Sequence, residues 1–333
     1  MLAAWYKKFG TAENVLETGE FAEPKPGKGE VKIKIYSSGV NPSDTKKRAG
    51  SNPDILDDGS IIPHSDGAGE IVDVSDKKLR HRVGEKVWVY ESQHNRRLGT
   101  AAEFVCLPSH NAVKLPDGVS YDKGAMLGIP AMTAHRCVYN SEDIKDRYVL
   151  ITGGAGRVGH YCIQWAKKAG AIVIATSSNN EGGQECKKAG ADIILGHPSE
   201  TFKDEILDLT KGQKIEKIID GDFGKNINYL LSVIKPNSSI CTYASMTEKT
   251  PVIPFYQMMN LNVQMKMVFV YDMPKKAKES AILDITKALK ENKLMNRLYK
   301  NYNLKKISQA HQKIENSKTS YGAVIINPQV IST

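Results

Sequence analysis

A glycine-rich turn between a short apolar strand and an amphipathic segment constrains the fold of this chain more than any other feature. The strand pattern ends at Ile151, and three glycines follow at Gly153, Gly156 and Gly159. Glycines at this spacing permit a tight turn, bring backbone N–H groups against a phosphate and seat a helix close to the strand. A second apolar run at 172–176 completes a βαβ unit of about 30 residues. The pattern therefore predicts a unit that binds the pyrophosphate of a dinucleotide.

The length and the order of the patterns indicate two domains. Domains typically contain roughly 100–200 residues, and this chain has 333. Strand-like alternation dominates the first 124 residues, whereas strands and helices alternate from residue 125 onward. We predict an α/β protein in which a doubly wound parallel sheet, residues 125–270, interrupts a β-rich, barrel-like domain formed by residues 1–124 and 271–333.

The doubly wound domain is expected to contain six strands, as a dinucleotide-binding sheet does. Those after the glycine turn are predicted at 172–176, 192–195, 217–221, 239–244 and 263–270, with helices near 200–210 and 226–234. In the other domain, strands are predicted at 31–36, 69–74, 85–90, 101–107 and 322–326, with helices near 275–292 and 306–316.

Composition excludes several classes of protein. No apolar run reaches the roughly 18 residues that cross a membrane, and the amino terminus lacks the apolar core of a signal peptide, so a cytoplasmic location is expected. The five cysteines are scattered and contain no CxxC pair, so neither a disulfide framework nor a cysteine zinc site is indicated. Most of them are predicted to be small buried apolar residues.

Two features bear on macromolecular partners. From Tyr271 onward the chain has 12 Lys and Arg against 5 Asp and Glu, within a net charge of +9. Core-type residues such as Ile282 and Leu289 are interleaved with these lysines, which favours a solvated helical face over a nucleic-acid site. The last strand of the parallel sheet, 263–270, is apolar and would leave an open edge, so a homodimer or homotetramer is expected.

Several motifs resemble, in order and spacing, those of the medium-chain dehydrogenase/reductase superfamily. They are Gly39-Val-Asn-Pro-Ser-Asp44, Pro63-His-Ser-Asp-Gly-Ala-Gly-Glu-Ile-Val72, Gly84-Glu-Lys-Val87, Leu115-Pro-Asp-Gly118, Gly128-Ile-Pro-Ala-Met-Thr-Ala134 and the glycine turn. Within this superfamily the chain is most similar to the zinc-free, zeta-crystallin-like quinone oxidoreductases. The resemblance implies a Rossmann domain inserted into a GroES-like barrel domain, with the active site in the cleft between them.

The resemblance also implies which residues contact the cofactor. Asn41 and Thr133 would position the nicotinamide and the substrate, and Lys46 stands where a cofactor-contacting tyrosine is common. The other implied cofactor-binding residues are Gly153, Ala155, Gly156, Arg157, Val158 and Gly159 at the pyrophosphate, Thr176, Ser177, Ser178 and His197 near the adenosine phosphate, Asn226, Tyr243, Ala244, Ser245 and Met246 along the cofactor, and Lys266, Met267 and Val268 at its amide.

Zinc is not expected, because the positions that hold it in related alcohol dehydrogenases carry other residues. The resemblance places them at Asn41, at Ser65 and Asp66, and at Gly128 and Ile129. Asp66 alone cannot hold the ion. Oxidation of an unactivated alcohol needs such a Lewis acid, whereas quinones and conjugated enones are already electrophilic.

These residues predict an NADPH-dependent reductase of quinones or related conjugated carbonyl acceptors. A 2-alkenal or enone double-bond reductase stays open as an alternative, as does an RNA-binding protein with a retained reductase fold. Asn41 and Thr133 are candidates for stabilising the developing oxyanion. No obligatory acid or base is identified, and Tyr36, Tyr90 and Tyr243 are candidates by residue type alone.

The cofactor preference is predicted from the segment Thr176-Ser-Ser-Asn-Asn180. In NAD-binding folds an acidic residue about 20 positions beyond the glycines binds the ribose hydroxyls. Its charge would repel a 2′-phosphate. This segment has no carboxylate before Glu181, so NADPH is predicted, with positive charge supplied by Lys187, Lys188, His197 or Arg157.

Overall fold

A computed structural model of the chain describes residues 1–57, 59–140, 143–316 and 321–329. The chain divides into two compact units, the first formed by Met1–Ile129 with Ile282–Thr333 and the second by Pro130–Ala281. Within the described ranges, no helix has the length and apolar character needed to span a membrane.

Fifteen strands and eleven α-helices occur in the described ranges. The strands are β1 (Leu2–Trp5), β2 (Glu17–Glu20), β3 (Glu30–Val40), β4 (Asp66–Val74), β5 (Lys86–Val89), β6 (Phe104–Pro108), β7 (Ala112–Lys114), β8 (Tyr148–Ile151), β9 (Ile172–Thr176), β10 (Ile193–Leu195), β11 (Ile215–Asp220), β12 (Ile234–Thr242), β13 (Gln264–Met267), β14 (Leu298–Asn303) and β15 (Ala323–Asn327). The helices are α1 (Ala12–Val15), α2 (Pro42–Arg48), α3 (Tyr121–Gly124), α4 (Gly128–Val138), α5 (Arg157–Lys168), α6 (Asn180–Lys188), α7 (Phe202–Leu209), α8 (Phe223–Val233), α9 (Phe255–Asn260), α10 (Lys275–Lys290) and α11 (Ile307–Asn316).

The first unit is built on a seven-stranded sheet in the order β14-β15-β3-β4-β5-β7, with β6 also paired to β3. Its pairs are antiparallel except for β14 with β15. Val31, Ile33 and Ile35 alternate along β3 and are fully buried, which places the core of this unit on one face of the strand. The register of β3 against β4 pairs Gly39 with Asp66, so Asp66 lies beside the start of α2.

The second unit contains a six-stranded parallel sheet in the order β10-β9-β8-β11-β12-β13. This is the strand order of a doubly wound dinucleotide-binding fold. β8 is the first of these six strands in the sequence, and it lies between β9 and β11 in the sheet. The direction of winding therefore reverses between β8 and β11. Such a reversal leaves a crevice at the carboxyl ends of the strands, where ligands of this fold bind.

The predicted fold class is confirmed, and the differences from the predicted elements have local causes. β3 continues to Val40 because Ser37 and Ser38, although polar, are buried and paired with β4. The sixth strand of the parallel sheet is shorter than the predicted 263–270, since β13 ends at Met267. The pattern does not predict β1, β2, β7 and β14, which are short or, like β14, rich in polar residues. All five cysteines are buried free thiols, as predicted for most of them.

Candidate functional site

The glycine turn joins β8 to α5 in a conformation that depends on its glycines. Gly153 has φ +60°, a left-handed backbone that glycine adopts without steric cost. A Cβ atom on Gly159 would lie 2.4 Å from the carbonyl oxygen of Gly153, so a side chain there would push α5 off the turn. The N-cap of α5, Gly156, offers no side-chain oxygen to the first helical turn. Helix N-termini of this kind bind phosphate through their backbone N–H groups.

Gly154, which the triplet at 153, 156 and 159 leaves out, lies where the turn has no room for a side chain. A Cβ atom on it would lie 2.9 Å from Cβ of Ala175 and 3.0 Å from Sγ of Cys186. Its N–H donates to the carbonyl oxygen of Thr176 at 2.9 Å, and the N–H of Gly153 donates to Oγ1 of Thr176 at 3.0 Å. The turn is therefore tied to the end of β9. The G-x-G-x-x-G spacing of Gly154, Gly156 and Gly159 is a sequence signal that could have identified this glycine.

A cavity of about 250 Å³ lies at the carboxyl ends of β8 and β11, where the winding of the sheet reverses. Its lining combines predicted cofactor-binding residues with others that were not singled out from the sequence: Thr152, Gly153, His197, Gly221, Asp222, Lys225, Asn226 and Tyr243. Nδ1 of His197 lies 3.2 Å from Oγ1 of Thr176. Burial lowers the pKa of His197, and the nearby Lys225 lowers it further. His197 therefore contributes a neutral hydrogen-bonding group rather than positive charge.

Asp220 hydrogen-bonds to two of the residues that line this cavity. The buried carboxylate accepts hydrogen bonds from Oγ1 of Thr152 at 2.5 Å and from Nδ2 of Asn226 at 2.8 Å. Burial raises the pKa of Asp220, and these two hydrogen bonds oppose the rise. Asn226 on α8, which is predicted to lie along the cofactor, is thus linked through Asp220 to Thr152 in the loop that follows β8.

A second carboxylate, Asp222, holds the segment after β12. It accepts hydrogen bonds from the backbone N–H groups of Met246 at 2.7 Å and Thr247 at 2.9 Å. The N–H of Gly224 donates to Oγ of Ser245 at 2.9 Å, and the N–H of Phe223 donates to the carbonyl oxygen of Ala244 at 3.0 Å. The predicted residues 243–246 are consequently held against the N-terminus of α8.

A second cavity of about 530 Å³ lies beyond the carboxyl ends of β9 and β10. Its polar lining includes Ser177, Ser178, Asn179 and Lys187. Among the described residues that line it there is no carboxylate, and Glu181 is exposed on α6 outside the lining. Of the four cations considered from the sequence, Lys187 lines the same cavity as the two serines.

The predicted residues at the cofactor amide lie on or next to the edge strand β13. Nζ of Lys266 donates to the carbonyl oxygen of Asn140 at 2.9 Å, so this side chain is engaged within the unit. The side chain of Met267 is 74% exposed. The N–H of Val268 donates to the carbonyl oxygen of Thr242 at 2.8 Å, which extends the pairing with β12 by one residue.

Asn41 in the first unit is held by a buried carboxylate. Its backbone N–H donates to Oδ2 of Asp44 at 2.7 Å, and its Nδ2 donates to Oδ2 of Asp66 at 2.8 Å. The same Asp66 oxygen accepts the N–H of Ile129 at 2.9 Å. A Cβ atom on Gly128 would lie 2.1 Å from Oδ1 of Asp66, so glycine is needed there to make room for the carboxylate.

The remaining predicted site residues belong to different parts of the chain. Lys46 is exposed on α2 in the first unit, and Thr133 is buried on α4 in the second unit. The grouping of Asn41, Lys46 and Thr133 at the nicotinamide therefore stays a prediction.

The donor set around Asp66 does not fit a zinc ion. Asn41 and the backbone of Ile129 already occupy one carboxylate oxygen, and amide groups are not zinc ligands of the usual kind. In the part of the chain that the structure describes, no group of three His, Cys, Asp or Glu side chains is placed to hold a metal ion. His64 is buried. Its Nδ1 lies 2.8 Å from Oγ of Ser38, and its Nε2 lies 2.9 Å from Nε2 of His311.

Comparisons with known proteins agree with this architecture. Two family models match, the alcohol dehydrogenase GroES-like domain at residues 27–117 and the zinc-binding dehydrogenase domain at residues 158–287. A chloroplastic quinone-oxidoreductase homolog from Spinacia oleracea is 31% identical over 67% of this chain and 69% of its own length. The quinone oxidoreductase of Homo sapiens is 29% identical over 72% of this chain and 71% of its own. The mycobacterial protein Rv1454c, solved in complex with NADPH, is 25% identical with a TM-score of 0.87, over 98% of this chain and 100% of its own.

A doubly wound sheet with this glycine turn, inserted into a GroES-like sheet, defines an oxidoreductase of the medium-chain type. The chain belongs to the zinc-free quinone oxidoreductase group of the medium-chain dehydrogenase/reductase superfamily. The resemblance drawn from the sequence motifs is thereby confirmed.

Proposed function

We propose that the protein is an NADPH-dependent reductase of quinones or related conjugated carbonyl acceptors that acts by hydride transfer without zinc. The observation that carries the proposal is the cavity beyond β9, where Ser177, Ser178 and Asn179 offer hydroxyl and amide groups and Lys187 offers a cation. A 2′-phosphate suits this lining, because a carboxylate at the same place would repel it. The complex of Rv1454c with NADPH supports the choice of cofactor.

The second unit supplies the groups that would bind this cofactor. The turn at 153–159 and the N-terminus of α5 would hold the pyrophosphate, and His197 and Asn226 would lie along the cofactor at the reversal point of the sheet. When bound, NADPH supplies the hydride. Asp222 keeps the segment at 243–247 in a fixed position, so the binding groups need little rearrangement.

In the first unit, Asp66 orients Asn41 for the acceptor. We assign residues 1–124 and 271–333 to the catalytic domain and residues 125–270 to the dinucleotide-binding domain, with Asn41 and Thr133 facing the nicotinamide and the acceptor. Asn41 has its Nδ2 directed at Asp66, which restricts the rotation of its side chain. Because the donor set does not fit zinc, the substrate has to be electrophilic on its own, as a quinone or an enone is.

The test is the ratio of kcat/KM for NADPH to that for NADH with a single quinone. A clear preference for NADPH is expected, and activity should survive a zinc chelator. Equal values for the two cofactors, or a preference for NADH, would contradict the proposal. Product analysis separates the two acceptor classes, since a quinone yields a hydroquinone and an enal yields a saturated aldehyde.

A further inference from the structure

We propose that Lys225 binds the diphosphate of the dinucleotide, a role that rests on the proposed function. Lys225 lines the cavity of about 250 Å³ at the carboxyl ends of β8 and β11. Gly153, the first glycine of the turn that would hold the diphosphate, lines the same cavity. All the residues that line this cavity belong to the second unit, so the proposed contact does not depend on the first unit.

Among the described residues that line this cavity, Lys225 carries the positive charge. The backbone N–H groups of a glycine turn and a helix N-terminus offer a phosphate partial charges only. A diphosphate carries two negative charges. His197 is neutral, because burial lowers its pKa. Arg157, the first residue of α5, lies outside the linings of both cavities. Lys225 therefore supplies the full positive charge that the glycine turn lacks.

Asp222, the carboxylate in the described lining, is already hydrogen-bonded to the segment after β12. Its Oδ1 accepts the backbone N–H groups of Met246 at 2.7 Å and Thr247 at 2.9 Å. Its Oδ2 accepts the hydroxyl proton of Thr247. Both oxygens of the group that competes with a ligand for Lys225 are thus engaged elsewhere, and a phosphate in the cavity is the more available anion.

The place of Lys225 in α8 suits a ligand contact better than it suits the helix. Lys225 is the third residue of α8, and the first turn of this helix contains no acidic residue. A cation there faces the positive end of the helix dipole, which disfavours it. The N–H groups of Phe223 and Gly224 already donate to Ala244 and Ser245. The exposed side chain of Lys225, rather than these first two N–H groups of the helix, can therefore reach a ligand.

Consecutive residues after β10 line the two cavities of the second unit. Gly196 lines the larger cavity, and His197 lines the smaller one. A dinucleotide with its 2′-phosphate beside Lys187 therefore extends past His197 and places its diphosphate between Gly153 and Lys225. The two lysines have separate roles in this arrangement. Lys187 binds the 2′-phosphate, which NADPH has and NADH lacks, whereas Lys225 binds the diphosphate that both cofactors carry.

The experiment measures dissociation constants by calorimetry for NADPH, NADH and adenosine 2′-monophosphate, which has the 2′-phosphate but no diphosphate. Lys225→Met should weaken the binding of NADPH and of NADH by the same factor of about 10, the low end for a charged hydrogen bond, because the site is open to water. The binding of adenosine 2′-monophosphate should not change. Lys225→Arg should bind NADPH nearly as well as the wild type, since a guanidinium group also binds phosphate.

Lys203→Met, at an exposed position on α7 in the same unit, is the matched control and should bind all three ligands like the wild type. The Tm of each variant without ligand should stay near the wild-type value, because both lysines are exposed. Added salt should weaken NADPH binding more steeply in the wild type than in Lys225→Met.

Unchanged NADPH binding by Lys225→Met, or equal losses for NADPH and adenosine 2′-monophosphate, would refute the role of Lys225 and leave the reductase function intact. A wild-type protein that binds NADPH but reduces neither a quinone nor an enone would refute the proposed function, and the dissociation constants would still decide the role of Lys225. A wild-type protein that does not bind NADPH would refute both.

Discussion

Lys187 supplies the positive charge that distinguishes the proposed adenosine-phosphate site from an ordinary polar turn. It lines the same cavity as Ser177 and Ser178, whereas its neighbour Lys188 pairs with Glu185 at 2.6 Å. A charge-assisted hydrogen bond to a phosphate is stronger than one between neutral groups. The position of one side chain thus carries much of the expected cofactor preference.

We expect Lys187→Ala to lower kcat/KM for NADPH by about 10- to 100-fold, which corresponds to the loss of one charged hydrogen bond of about 1.5–3 kcal/mol. The value for NADH should change little, because NADH has no 2′-phosphate. Lys188→Ala is the control and should leave both values near wild type. Ser178→Asp should reverse the preference by placing a carboxylate where the phosphate binds. Equal losses for the two cofactors in Lys187→Ala would speak against this site.

The close approach of α5 to the turn after β8 is a property of two secondary-structure elements rather than of one residue. We expect Gly159→Ala to destabilise the second unit by about 1–3 kcal/mol, because its Cβ would lie 2.4 Å from the Gly153 carbonyl oxygen. Gly156→Ala should be milder, since its Cβ would lie 3.1 Å from the same oxygen and the extended backbone of this N-cap residue, with φ −65° and ψ 166°, suits any amino acid. Urea denaturation of both variants measures the difference. A Gly159→Ala protein as stable as the wild type would show that α5 shifts without cost.

A buried hydrogen-bond chain joins β3, the segment before β4 and α11 in the first unit. Thr100 donates its hydroxyl proton to the carbonyl oxygen of Asp66 at 2.6 Å, so Ser38 donates to Thr100 and His64 donates to Ser38 through Nδ1. A neutral His64 that carries its proton on Nδ1 accepts, through Nε2, the proton on Nε2 of His311. Both imidazoles are neutral in the folded protein near pH 7. Burial accounts for this, since it lowers the pKa of His64 to about 3 and that of His311 well below its ordinary value.

This pair predicts that the protein loses stability in acid. The unfolded histidines take up protons below a pH of about 6.5, whereas the folded ones do not, so stability should fall as the pH drops from about 6.5 toward about 3. Each histidine contributes a slope of up to about 1.4 kcal/mol per pH unit. The double variant His64→Asn/His311→Leu should flatten this dependence in denaturant unfolding between pH 7 and pH 5. Asparagine is chosen because residue 64 has φ +79°, which asparagine tolerates.

The exposed His81→Gln is the matched control and should keep the wild-type slope. A double variant with the same pH dependence as the wild type would show that the two histidines are not the groups that take up the protons.

For the molecule as a whole, the edge of the parallel sheet points to self-association. β13 pairs with β12 on one side, and large apolar side chains at and near it are exposed, including Phe255, Tyr256, Met267 and Phe269. An open strand edge with apolar neighbours is a site for pairing with a second copy. We propose a homodimer or homotetramer formed through this edge.

Light scattering at micromolar concentration should show an oligomer for the wild type. Phe269→Lys should lower the oligomer fraction, because it places a charge beside the edge. Leu283→Lys is the control, since Leu283 is 71% exposed on α10 in the first unit. A monomeric wild type, or equal effects of the two substitutions, would rule out association through β13.

Local patterns were sufficient to predict the fold class, the replacement of the zinc ligands and the lack of an acidic residue after the second strand of the βαβ unit. Glycine spacing, strand runs and helical periodicity are short-range properties, so they predict the βαβ unit and the six parallel strands directly. The absence of an acidic residue from 176–180 and the residues at the zinc positions are likewise read without any contact being known.

Contacts between distant residues could not be predicted in this way. The register of β3 on β4 pairs Gly39 with Asp66 and thereby orients Asn41, and helix packing brings His311 to His64 across 247 residues of sequence. The choice of Lys187 over Lys188 depends on which side of α6 faces the end of β10. Periodicity records which side of an element is apolar, whereas register and packing set which polar groups meet, and these are properties of the folded chain.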